Sequence, residues 1–400
     1  MRIVPAALLA ALLGASSHAF AQGADLSGTS PALRNAVATY RAGDLASAEA
    51  DFRRLAASTP DARAWLGVVL IERGNARDGV QMLQQALAAG SAEAALQLGV
   101  VYAQGLGGLP RDDARAAQLF EKAANAGHQR AQLNLGILYF RGQGVPRDLV
   151  QARAWLEKAA SGDDPYALYA LARATEDNDG SAIADPVRAA DLYRRAAEKG
   201  HPLAALRYGL ALAEGNGTKQ DALAAQRWLM IAEKDGVPEA ALALGDMTAR
   251  TRPSRDKAAN QTIQQNAVAW YAVAANAGVA SAQFKLGNAY YAGAGVARDV
   301  TQAATWYGRA ARQGLPEAQQ LLGVALLGGL AGQTDPVEGY KWLLIAEKAG
   351  NLAARATKEQ AAAKLSDAER KRAEALAAAF TPVLERPISD VPPRLAPPTP

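Results

Sequence analysis

Apolar residues return in a fixed order between residues 91 and 350. The stretch 135–160, LGILYFRGQGVPRDLVQARAWLEKAA, comes back at 286–311 as LGNAYYAGAGVARDVTQAATWYGRAA. An alanine opens each copy, at Ala94, Ala131, Ala167, Ala204, Ala240, Ala282 and Ala318, and a leucine or tyrosine stands four positions later. A glycine follows at once in every copy except the third, which has Ala172. The step between copies is 36 or 37 residues, and once 42. A second ruler, Leu119, Trp155, Leu192, Trp228, Trp270, Trp306 and Trp342, keeps nearly the same step. A period of this size marks a solenoid of stacked units, none of which can bury its apolar face alone.

Each unit reads as two helices. In the first, Ala131, Leu135 and Tyr139 recur at four-residue intervals and share a face, while Gly136 lets a neighbouring helix come close. RGQGVPRD then ends it, because Gly142 and Gly144 accept positive φ and Pro146 cannot continue a helix. Asp148 is the expected N-cap of the second helix, whose spacing puts Ala152, Trp155 and Ala159 on the buried face. A further glycine (Gly127, Gly200, Gly236, Gly278, Gly314, Gly350) closes the unit. The third copy has a degraded linker, ATEDNDGSAIADP, and the six extra residues of the fifth fall to its linker, beside Arg250, Arg252, Arg255 and Lys257.

Composition agrees with an all-α chain: aromatics are only 6% of 400 residues and half the chain is apolar. The segment MRIVPAALLAALLGASSHAFAQ has one positive charge, a short apolar run and small residues at Ala19 and Ala21. This is the layout of a signal peptide, residues 1–21, cut after Ala21, and its apolar run is too short to span a bilayer. With no cysteine there is neither a lipid-attachment site nor a disulfide. The expected mature chain is therefore periplasmic or secreted, and not a lipoprotein. Lys+Arg 43 against Asp+Glu 39 is nearly balanced, with no basic cluster interleaved with aromatics, so nucleic acid is not an expected partner.

The repeated alanine, the Leu-Gly pair, the tyrosine, the Gly-x-Gly linker with its aspartate and the Trp-x-x-x-Ala-Ala close resemble the Sel1-like repeat family, over seven units between 91 and 350. Upstream, Gly43, Asp44, Ala48, Phe52 and Pro60, and then Leu66, Gly67, Gly74, Gly79 and Leu83, resemble two tetratricopeptide units within 31–90. Both families share a helix-turn-helix superhelix, so the resemblance implies one α/α solenoid. Residues 351–380, with Ser366 and Glu369 placed for a capping box, are expected to form a C-terminal capping helix. The proline-rich 381–400 is expected to be an extended, disordered tail.

Catalytic chemistry is sparse. His128 and His201 each follow a unit-ending glycine and read as polar turn residues, with no metal motif around them. The Gly-x-Gly linkers follow helices and lack the phosphate-reaching lysine, so they are turns. Ser254 to Lys257 fits Ser-x-x-Lys, and some exported proteins with Sel1-like repeats are linked to penicillin binding. The Ser-Asp-Asn and Lys-Thr-Gly elements of that chemistry are missing, which leaves a solvated basic loop. An enzyme acting on peptidoglycan or β-lactams is the alternative; the expectation is no enzyme, no cofactor and no metal.

What remains is surface. The ligand-facing positions of tetratricopeptide repeats, carried over to the concave wall of first helices, are Arg130, Leu133, Ile137 and Phe140 in the second unit. In the third they are Tyr166, Tyr169, Arg173 and Glu176, and in the sixth Ser281, Phe284, Asn288 and Tyr291. Aromatic and arginine residues anchor binding hot spots; the competing role of Phe140 and Tyr291 is packing between units. The basic linker residues Arg250, Arg252 and Arg255 are a second candidate contact. The family resemblance implies a scaffold for envelope assembly, exopolysaccharide export or signalling, with protein partners.

Overall fold

The computed structural model describes residues 29–385 apart from 179, 181, 254, 331 and 333, so the signal segment, Ser254 and the tail beyond 385 lie outside the described residues. The described residues hold twenty α-helices and no strand. Four precede the Sel1-like copies: α1 (Pro31–Arg41), α2 (Leu45–Leu55), α3 (Pro60–Glu72) and α4 (Ala76–Ala88). The copies then contribute α5 (Ala92–Gln104), α6 (Asp113–Asn125), α7 (Gln129–Arg141), α8 (Leu149–Ala160), α9 (Pro165–Glu176), α10 (Pro186–Glu198) and α11 (Pro202–Glu214). They continue with α12 (Ala222–Lys234), α13 (Pro238–Ala249), α14 (Lys257–Asn276), α15 (Ala280–Ala292), α16 (Val300–Arg312), α17 (Pro316–Leu327) and α18 (Pro336–Lys348). Two helices, α19 (Ala353–Ala362) and α20 (Asp367–Ala378), occupy the segment where one capping helix was expected, and Ser366 and Glu369 do form the capping box of α20.

The chain divides into two compact units: residues up to 211 with 215–220, and residues 212–214 with those from 221. Within each, a helix packs on the next in sequence and on the next but one, as in α3 with α5, α7 with α9, and α17 with α19. This is the nearest-neighbour pattern of stacked hairpins.

One repeat shows why these residues fold so. The α7 helix ends at Gly142, in the left-handed region at φ 69°, whose N–H donates to Leu138 O at 2.8 Å. The linker then returns to its own helix, the Asp148 N–H donating to Tyr139 O at 3.0 Å, while its carboxylate caps α8 by accepting from Gln151 N at 2.9 Å. Asp112, Asp185, Asp221, Asp256, Asp299 and Asp335 cap their helices in the same way. Gly144 fills a different need: a Cβ there would fall 2.1 Å from the Asp113 carbonyl oxygen at the start of α6.

The opening alanines are buried to the last, and so are Leu98, Leu135, Leu171, Leu244, Leu286 and Leu322. The second ruler is displaced by one residue. Trp155 is half-buried with the Lys158 ammonium 3.9 Å from its ring centre, and the core position is Leu156, 0% exposed. The residue after each landmark, Phe120, Leu156, Tyr193, Leu229, Tyr271, Tyr307 or Leu343, is buried throughout. The reason is the first-helix glycine: Gly99, Gly136, Gly245, Gly287 and Gly323 each face that following residue so closely that a Cβ would lie within 3 Å of its side chain.

The fifth copy also departs from expectation. Its linker, 250–256, is as long as 142–148, and the extra residues lengthen α14 to 20 residues against 12 in α8. Lys257 therefore begins a helix, and the linker holds only the three arginines.

The start of the tail is extended but held. The Val383 N–H donates to Arg312 O at 2.9 Å, and Phe380 meets Trp342 edge to face at 5.2 Å. Arg309 donates to both Glu385 oxygens at 2.9 and 2.5 Å, and Gln283 Nε2 to Glu385 Oε2 at 2.8 Å.

Candidate interaction surface

In the first unit the first helices of the hairpins, α1, α3, α5, α7 and α9, form a wall into which polar side chains are set. On α1, the Tyr40 hydroxyl donates to Glu72 Oε1 of α3 at 2.5 Å. Burial pushes the Glu72 carboxyl up to about 7, against the lowering effect of that hydrogen bond, and pushes Tyr40 up as well. On α5, Gln97 is only 1% exposed and donates to Glu93 Oε1 at 2.5 Å, while His128 Nε2 lies 3.0 Å from Glu93 Oε2. On α7, Asn134 is 2% exposed. Burial lowers the pKa of Arg130, and Glu93, Tyr40 and Asp164 oppose that shift, so this candidate faces three neighbouring helices.

Several of these groups have buried atoms without a hydrogen-bond partner among the described residues: Glu72 Oε2, Gln97 Oε1, His128 Nδ1, Asn134 Nδ2 and Arg141 Nη1. Buried polar atoms are nearly always paired in folded proteins, because an unpaired one forfeits its hydration without compensation. Two more such atoms lie elsewhere, Gln143 Oε1 in the linker after α7 and Gln319 Oε1 on α17 of the second unit.

The ends of α7 and α9 bring together more of the expected residues. Ile137, Phe140, Arg141, Leu156, Tyr169, Ala170 and Arg173 line one cavity. Tyr169 was expected on an open groove and is instead 4% exposed. Its ring stacks on His201 at 4.4 Å and lies 5.9 Å from Tyr193, because the turn into α11 brings the histidine onto it. Tyr166 is half-buried and meets the same imidazole edge-on at 5.0 Å. His201 is thus a buried turn residue: its Nδ1 accepts from Ala204 N at 3.2 Å, capping α11, and burial pulls its pKa down to about 4. Arg173 is pulled down by burial but pushed up more by Tyr169, Tyr193 and Glu176, with the Glu176 carboxylate 3.9 Å away.

In the second unit the expected residues are more dispersed. Phe284 is half-buried, 6.0 Å from the Tyr307 ring, and packs into the core. Asn288 accepts a hydrogen bond from the Tyr307 hydroxyl at 2.8 Å. Tyr291 is 48% exposed, with the Arg298 guanidinium 5.9 Å from its ring centre. Arg250, Arg252 and Arg255 are all exposed in the linker before α14. Arg141 was missed from sequence; it sits one residue before Gly142, where an arginine reads as a helix-end cation.

The Sel1 repeat model matches residues 92–128, 129–164, 165–201, 202–236, 263–279, 280–315 and 316–351, more than half of the chain. The chain belongs to the Sel1 repeat family. A Sel1 repeat protein from Oxalobacter formigenes is similar to it with 30% identity and a TM-score of 0.64, over 79% of this chain and 91% of that one. A protective antigen of uropathogenic Escherichia coli with the SLR fold aligns at 24% identity and a TM-score of 0.43, over 91% and 94% of the two chains. No curated protein matches the chain. As a Sel1 repeat protein it has the all-α repeat solenoid fold, and Sel1 repeats generally serve as protein–protein interaction scaffolds. The family match leaves α13 uncovered and starts within α14, where the helix is extended. Among the described residues no helix is long and apolar enough to cross a membrane.

Proposed function

We propose that this Sel1 repeat protein is an exported, non-enzymatic scaffold that holds a segment of a cell-envelope protein against the first-helix wall of its first unit. The observation that carries the reading is the run of seven Sel1 repeats, a family that generally serves as protein–protein interaction scaffolds. Phe140, Tyr166 and Arg173 supply anchors of the kind that dominate binding energy. The exposed Arg250, Arg252 and Arg255 contribute by steering an acidic partner rather than by gripping it. The process served is envelope assembly, exopolysaccharide export or signalling.

The test is capture of envelope proteins by the purified mature chain, followed by titration of whatever is recovered. Phe140→Ala with Arg173→Ala should weaken that partner by at least about 2 kcal/mol, the scale of hot-spot loss, with helix content unchanged. Neutralising the three linker arginines should lower the association rate and its salt sensitivity more than the final affinity. Wild-type affinity in the Phe140/Arg173 variant would refute the wall as the binding face. Covalent labelling by a fluorescent penicillin would refute the non-enzymatic reading. Intact-mass analysis of the exported protein should find a chain beginning at Gln22.

A further inference from the structure

The strap formed by residues 380–385 keeps step with the repeats it crosses. The position three residues after each second-helix landmark is basic in the first three copies, at Lys122, Lys158 and Arg195, and again in the sixth, at Arg309. In the seventh it is Ile345, buried in a cluster against which Phe380 packs. In the sixth, the Glu385 carboxylate meets Arg309. The strap thus sets an apolar side chain on the apolar position and an acid on the basic one, advancing one repeat toward the N-terminus as it does so.

The same position is apolar in the fourth and fifth copies, at Ile231 and Val273, and both are 43% exposed among the described residues. Glu385 already borders the fifth copy. Its N–H donates to Gln313 Oε1 at 3.3 Å, and Gln313 Nε2 donates at 3.0 Å to Gly278 O, in the turn that ends α14. Gln283, which binds the Glu385 carboxylate, also donates to Ala275 O of α14 at 3.2 Å. The end of α14, which carries Val273, is therefore within one amide side chain of Glu385. The next residues are Arg386, Pro387 and Ile388. Three residues in the extended conformation that proline favours advance about 9 Å, close to the spacing of packed helices. Covering exposed apolar surface is favourable, and Ile388 brings the first branched aliphatic side chain beyond Glu385. We propose that residues 386–390 continue the strap onto the fifth copy, with the Ile388 side chain seated on Val273 of α14. The occupant of this apolar position is then the chain's own tail. The assignment goes beyond the scaffold reading and does not depend on it.

The experiment uses the full mature chain, which has no cysteine of its own. Val273→Cys is combined with Ile388→Cys in one variant and with Ser389→Cys in another, and disulfide formation under oxidised glutathione is followed by intact mass and non-reducing gels. A free tail tethered at Glu385 closes both rings at nearly equal rates, because loop entropy changes little over one residue. A seated Ile388 should close its ring at least ten-fold faster, and within one chain. In parallel, Ile388→Asp should speed hydrogen exchange of the amides at 273–277 at least three-fold, as should ending the chain at Glu385. Equal closure rates in the two pairs, or exchange left unchanged by both alterations of the tail, would overturn the proposal. Disulfide-linked dimers as the main product would assign the position to a second copy and overturn it as well.

Discussion

Gly136 and Leu156 should be coupled, and the sign of the coupling can be worked out. A Cβ on Gly136 would lie 2.6 and 2.9 Å from Leu156 Cγ and Cδ2, and 3.2 Å from Ala152 O. Overpacking of this kind costs about 1–3 kcal/mol, while replacing a mid-helix glycine with alanine returns about 1 kcal/mol of helix propensity. Gly136→Ala alone should therefore destabilise by about 1 kcal/mol. Leu156→Ala alone should cost about 3–4 kcal/mol, since the side chain is wholly buried and leaves a cavity. With Leu156 truncated the two closest contacts are relieved, only the 3.2 Å approach to Ala152 O remains, and the propensity gain offsets it, so Gly136→Ala in that background should stabilise by up to about 1 kcal/mol. The coupling is then about 2 kcal/mol, well beyond the additivity of independent sites. Urea denaturation followed by circular dichroism gives the four stabilities, and hydrogen exchange of the α7 and α8 amides localises the change. Equal destabilisation by Gly136→Ala in both backgrounds would show that the glycine is not there to admit Leu156.

Trp155→Ala should cost less than Leu156→Ala, by about 2 kcal/mol in the same urea assay, because the indole is half-buried under Lys158. For His201, whose folded pKa of about 4 lies below the ordinary 6.5, stability is present above pH 6.5 and is lost as pH falls toward 4, by roughly 3 kcal/mol. His201→Asn, which keeps a side chain able to cap α11, should flatten that part of the pH–stability curve, and an unchanged curve would contradict the buried neutral imidazole. Glu72 has the opposite sign: its pKa is raised from 4.5 to about 7, so its contribution is complete below 4.5 and is lost as pH rises through 7. Glu72→Gln should remove that loss, measured as the difference in urea midpoint between pH 5 and pH 8. Glu385→Ala should destabilise the second unit by about 1 kcal/mol, the typical worth of a half-exposed, two-pronged arginine contact, and hydrogen exchange at the end of α16 should report it.

The features written in local chemistry could be read from sequence. Positive-φ glycines, aspartate caps and the buried alanine-leucine face each depend on a few adjacent residues, and all stand where the spacing put them. Trp155 was misplaced because it and Leu156 are both apolar and only one position apart. What chooses between them is the notch at Gly136 on the opposite helix, which lies outside the pattern of α8 itself. Tyr169 was misplaced for a similar reason: the imidazole that covers it arrives 32 positions later, from the turn before α11. The lengthened α14 did leave a trace, since no glycine or proline interrupts residues 257–266. Arg141 left none, because its meaning comes from Arg173 across the wall.

The clasp made by residues 380–385 changes the kinetics of the second unit. Repeat arrays ordinarily unravel from their ends, one hairpin releasing the next, because each holds only its neighbours. Here Glu385 meets Gln283 across a sequence separation of 102 residues and Arg309 across 76. The last helices, α17 to α20, lie inside the loop so closed. Fraying from the C-terminal end must first open that ring, and refolding must bring its two distant ends together after the helices between them have formed. Loop closure over that span makes the clasp a late contact in the expected folding order, and one that must open before the final repeats fray.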